Sequence, residues 1–127
     1  MSLENAQLKD TQLDVLTVPA NKVYAITSIM VCNTYSQSGV DPANNTANFD
    51  MHFIKNGQAL SNSVTAVIRE LDLPAGETFT FDSEKVVLDA GDKVAFVAGP
   101  GIYEDPNGDP GNTNLTNLAV SISYLEV

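Results

Sequence analysis

Tryptophan is absent from the 127-residue chain, cysteine and histidine occur once each, and six basic residues face sixteen acidic ones. Each shortage removes a class of function. The single thiol, Cys32, excludes an intrachain disulfide framework and a multi-thiolate zinc site. Six isolated bases within a net charge of −10 cannot neutralise a run of phosphates, so no nucleic-acid partner is expected. Long apolar runs are missing too. The longest, residues 23–32, is broken by Thr27 and Ser28 and falls short of the ~20 residues that span a bilayer, so no membrane partner is expected. The opening residues carry neither a basic region nor an apolar core of signal-peptide type, and the expectation is synthesis in the cytoplasm.

What remains is an apolar content of 43%, enough for one hydrophobic core in a chain of this length. Its apolar residues recur with a period of two. Phe49, Met51 and Phe53 alternate with Asp50 and His52, and Leu118, Val120, Ile122 and Tyr124 alternate with Ala119, Ser121 and Ser123. The pattern predicts strands over 13–18, 23–33, 47–55, 64–71, 77–81, 85–88, 93–98 and 118–127, separated by Pro-, Gly- and Asn-bearing turns. About eight short strands with one wet face each predict an all-β antiparallel sandwich, jelly-roll or Ig-like. Residues 1–12, without alternation, are expected to form an N-terminal arm, and 13–127 a single domain. Two Pro/Gly/Asn/Asp-rich inserts, 36–48 and 99–117, read as long partner-facing loops without regular strands.

Little in this pattern is equipped for catalysis. His52 falls on the polar face of its strand beside Asp50, which reads as a solvated face, and no Gly-x-Ser-x-Gly elbow presents a nucleophile. The chain is therefore expected not to be an enzyme. Asp105, Asn107 and Asp109 stand at the opening spacing of a calcium loop. The motif then departs, with Pro110 where a glycine belongs and Thr116 where a bidentate carboxylate belongs. A Pro-stiffened turn is the first reading of this segment, calcium the second, and no other cofactor is expected. Cys32 reads as a small buried hydrophobe. The 23–33 strand is apolar at both alternating sets of positions, which is expected of a central strand or of one whose outer face meets another subunit. On the second reading Tyr24, Ile26 and Met30 are the interface residues, and Ile102 and Tyr103 are either further contacts or buried under their loop.

At Val18-Pro19-Ala20-Asn21-Lys22-Val23-Tyr24, running through an alternating strand to Asn33-Thr34, the chain resembles the small virion proteins of tailed bacteriophages, T4-like cyanophages in particular. Leu73-Pro74-Ala75-Gly76-Glu77-Thr78-Phe79, Val87-Leu88-Asp89-Ala90-Gly91-Asp92-Lys93-Val94 and the closing 118–127 strand extend the resemblance to roughly two-thirds of the chain. The resemblance implies a β-sandwich on the phage particle, made in the host cytoplasm. Its role would be capsid decoration or surface attachment by packing against other virion proteins. A homo-oligomer is implied, a trimer favoured, and no catalytic residues transfer. The alternative is a fibre or adhesin-type module that binds a host-surface glycan through 36–48 and 99–117.

Overall fold

The computed structural model describes residues 2–9, 11–34, 46–99, 101–104, 110–113 and 118–127. The strands are β1 (Ser2–Gln7), β2 (Leu13–Thr17), β3 (Tyr24–Asn33), β4 (Ala47–Ile54), β5 (Ala66–Leu73), β6 (Thr78–Leu88), β7 (Lys93–Ala98), β8 (Gly101–Glu104), β9 (Pro110–Thr113) and β10 (Leu118–Glu126). Among the described residues there is no helix. The pairings nest: β1 with β10, β2 with β7, β3 with β6 and β4 with β5, all antiparallel. Rolling that long ribbon brings β10 beside β3 and β7 beside β4, which closes two four-stranded sheets. Sheet A runs β1-β10-β3-β6 and sheet B runs β2-β7-β4-β5. Of the two sandwich topologies expected, this strand order is the jelly roll.

The alternating apolar sets meet between the sheets. Ile29, Val31 and Ile122 from sheet A pack with Phe49, Met51 and Phe96 from sheet B, none more than marginally accessible to solvent. Phe49 lies edge-on to Phe79 with ring centroids 6.0 Å apart, and Phe53 lies edge-on to Phe81 at 6.2 Å. These edge-to-face pairs bridge the two sheets in the geometry aromatic quadrupoles favour.

β3 corrects the expectation of a strand apolar on both faces. Its register against β10 steps from Ser28↔Ser123 to Ile26↔Tyr124, and against β6 from Ser28↔Asp82 to Ile26↔Val86. Thr27 is thus an extra residue, a bulge, and a bulge exchanges the faces of the residues on either side of it. Tyr24 and Ile26 point inward before it, and Ile29 and Val31 point inward after it. A strict period of two read across Thr27 therefore mixes inward with outward positions.

Three further expectations are revised. Residues 2–7 of the supposed arm form β1, the edge strand of sheet A. Its inward positions are Ser2, Glu4 and Ala6, so main-chain pairing with β10 holds it, without an apolar stripe to announce it. Segments 77–81 and 85–88 are one strand, β6, whose register breaks opposite Thr27. Within 99–117, β8 pairs with β9 in register Gly101↔Thr113 to Glu104↔Pro110, where no regular strand was expected. Main-chain pairing tolerates the glycines and asparagines there, and Pro110 takes the first position of its strand, where a missing N–H is least costly.

The Pro- and Gly-bearing turns are braced in space. Val18 N donates to Asp92 O and Gly91 N to Val18 O, so the Pro19 turn and the Gly91 turn brace each other. Asn33 N donates to Glu77 O, Gly76 N to Asn33 O, and Asn33 Nδ2 to Leu73 O, which fixes the Pro74 turn to the end of β3.

Candidate functional site

Each sheet turns one face to the core and one outward, and the two outward faces differ in chemistry. On sheet B the outward side chains include two ion pairs. Lys93 Nζ lies 3.2 Å from Asp14 Oδ2, and Arg69 Nη1 donates to Asp50 Oδ2 at 2.7 Å. The other Asp50 oxygen accepts the main-chain N–H of Glu70 at 2.7 Å. Glu70 has φ 51° in a bulge where the register steps from Phe49↔Leu71 to Met51↔Ile68, so Asp50 holds a left-handed residue in place.

His52 stands on this outward face, as the alternation predicts, but it is fully buried rather than solvated. Its register partner Ala95 and its neighbour Ile54 are buried as well. Residues 61–65 reach back over it: Thr65 O accepts from Phe53 N, and Thr65 Oγ1 lies 2.8 Å from His52 Nδ1. Thr65 Oγ1 donates to Ser61 O and accepts from Ser61 N. With its only proton given to Ser61, that hydroxyl accepts from His52, which places the imidazole proton on Nδ1. Nε2 is then an unprotonated, buried nitrogen without a hydrogen-bond partner. Burial holds the pKa below the ordinary histidine value; the Asp50 carboxylate opposes this and Arg69 adds to it. Sealed in this way, His52 is a structural group in the outer layer of sheet B.

Sheet A presents the opposite chemistry. Cross-strand register places Gln7, Ala119, Cys32 and Thr78 in one outward row, and Asn5, Ser121, Met30 and Thr80 in the next. Leu3, Ser123, Ser28 and Asp82 form a third, with Leu125, Ala25 and Val87 beyond the bulge. Among the described side chains of this face, Asp82 is the only charge. Of the seven large hydrophobic side chains found exposed among the described residues, Leu3, Met30, Val87 and Leu125 stand here. Cys32 is half-buried in this face rather than in the core.

Of the residues expected at an interface, Tyr24 and Ile26 belong to the chain's own core. Tyr24 stacks on Tyr124 with ring centroids 4.5 Å apart. Met30 alone of the three presents surface, at 42% exposure. Asp105, Asn107 and Asp109 lie outside the described residues, as do the side chains of Ile102 and Tyr103, placed by their backbone in β8. Among the described residues no cluster of three or more His, Cys, Asp or Glu side chains is arranged to hold a metal ion. The partners of Met30 on the outward face, Leu3, Ser28, Ser121, Ser123, Val87 and Leu125, were missed in the sequence, where nothing marks them as neighbours.

The ends of the two long inserts meet. Gly99 N donates to Asn48 O at 2.8 Å, and Asn33 is in register with Leu118, so both inserts leave the sandwich at one end. A crevice of about 280 Å³ opens between Phe53–Lys55 of sheet B and Val86–Leu88 of sheet A, with Asp92 at its rim. No protein-family model, curated protein or solved structure matches this chain.

Proposed function

We propose that this protein is a non-enzymatic structural subunit of a tailed-phage particle, a capsid decoration or surface-attachment piece that packs against other virion proteins. The observation that carries this reading is the contrast between its two outward faces. A chain of net charge −10 shows, among the described side chains of one broad sheet face, the single carboxylate of Asp82, with exposed leucine, methionine and valine around it. Exposed apolar surface of that kind, rimmed by polar residues, is characteristic of protein contact sites. The acidic remainder keeps free copies soluble before assembly. The resemblance of the Pro19, Pro74 and Gly91 turn motifs to those of small phage virion proteins supports the same reading, and these turns brace the sandwich. Mass spectrometry and cryo-electron microscopy of purified particles test it. Stoichiometric copies in ordered density are expected, and particles that lack the protein would overturn it.

A second reading, glycan binding by a fibre or adhesin-type module, draws on the junction of the two inserts at one end of the sandwich. Glycan-array binding that disappears when 105–111 is deleted, with particle incorporation intact, would favour this over the packing role.

A further inference from the structure

We infer that the outward face of sheet A is a self-association surface, occupied by the same face of a second copy of this chain. The inference rests on the reading of the protein as a packing subunit and names its first partner.

Charge selects the occupant. Two copies of net charge −10 repel over most approaches, and the approach with the least repulsion brings together the faces from which charge is withdrawn. A basic partner would find more counter-charges elsewhere, because among the described side chains this face offers it only Asp82. Among the described surfaces, the one that matches a face of small, hydroxyl and apolar side chains with a single described charge is that face itself.

The relief fits the same occupant. Ser28, Ser121, Ser123 and Ala119 give the middle strands a floor of small side chains from which Met30 and Leu125 stand out, with Leu3 on β1 and Val87 on β6 at its two edges. Two such faces related by a two-fold axis set the edge side chains of one copy beside the floor of the other. Sheets packed in this way lie ~10 Å apart at about −30°.

The area is sufficient. Four strands ~4.8 Å apart, over a nine-residue β10 rising ~3.3 Å per residue, give about 600 Å² per copy before side-chain relief is counted. Two copies bury about 1,200 Å², the lower end of the range for specific interfaces. One flat face pairs isologously with itself, so the number of copies is two rather than the three expected from the sequence resemblance.

Sedimentation equilibrium of the full chain, from sub-micromolar to hundreds of micromolar, tests the inference. The expected result is a mass rising toward twice the 13.5 kDa of one protomer. Met30→Glu, in the centre of the face, should shift the midpoint at least tenfold toward the protomer. Val67→Glu, at an exposed position on sheet B, should leave it in place. To guard against a folding defect in Met30→Glu, Ser123→Cys in a Cys32→Ser background should give a disulfide-linked pair on mild oxidation, while Gln12→Cys in that background should not. A wild-type chain that stays at protomer mass throughout, or equal sensitivity to Met30→Glu and Val67→Glu, would overturn the inference. Monomeric protein found on particles would overturn this inference alone. A dimer absent from particles would overturn the virion reading alone.

Discussion

Thr65 has one hydroxyl proton, and the main-chain oxygen of Ser61 takes it. From that assignment follow the tautomer of His52 and a pH dependence with a definite sign. Burial lowers the folded-state pKa below the ordinary 6.5, so the unfolded chain takes up the proton first as pH falls. The stability contributed by the neutral ring is complete above pH 6.5 and is lost as the pH drops toward the folded-state value. The slope for one proton is at most ~1.4 kcal/mol per pH unit. Thermal melts between neutral pH and mild acid should show the wild type losing ground to His52→Gln, which bonds Thr65 without titrating. Parallel curves would remove His52 as the titrating group. Asp50 supplies a second residue-scale expectation, because one carboxylate serves both Arg69 and the Glu70 N–H. Asp50→Ala should cost about 1–3 kcal/mol in chemical denaturation, since it strands a main-chain donor as well as ending an ion pair.

At the scale of elements, β1 and the residue after it divide the labour. Leu8 is fully buried and its N–H donates to Leu118 O, while β1 itself offers only Ala6 as an apolar inward side chain. Leu8→Ala should therefore destabilise by about 2–4 kcal/mol, measured by denaturant midpoint, whereas Leu3→Ala should be nearly neutral to the fold. The Gly91 turn is similarly demanding: φ is +85°, and a Cβ would collide with the side chain of Asn56, a residue whose main-chain N–H donates to Asp92 Oδ1. Gly91→Ala should cost about 1–3 kcal/mol. These elements also show what the sequence could and could not disclose. β4, β7 and β10 are legible because their alternation is unbroken, and the turns because Pro, Gly and Asn carry backbone preferences. β1 is illegible because main-chain pairing leaves no trace in side-chain pattern. The β3 faces were misread because one bulge residue, Thr27, looks like any other threonine. The burial of His52 depends on Thr65, thirteen residues away across a loop. The candidate face is harder still, since its rows join residues such as Asn5, Ser121, Met30 and Thr80 that only the strand order brings together.

For the molecule as a whole, self-repulsion sets the response to salt. With sixteen acids and six bases, raising ionic strength from near zero to physiological should raise the melting temperature and tighten self-association together, because the proposed contact contains almost no ion pairs to screen. Calorimetry and sedimentation over one salt series check this; a falling melting temperature would mean that the Arg69–Asp50 and Lys93–Asp14 pairs outweigh the net charge. The nested strand order has a consequence for biosynthesis. β10, the final strand of the sandwich to leave the ribosome, lies between β1 and β3, in the interior of sheet A. Until it is made, β3 pairs only with β6, β1 has no partner in that sheet, and the outward face is incomplete. Chains that stop short of β10 would therefore lack the proposed docking face, so the emergence of that strand would license association.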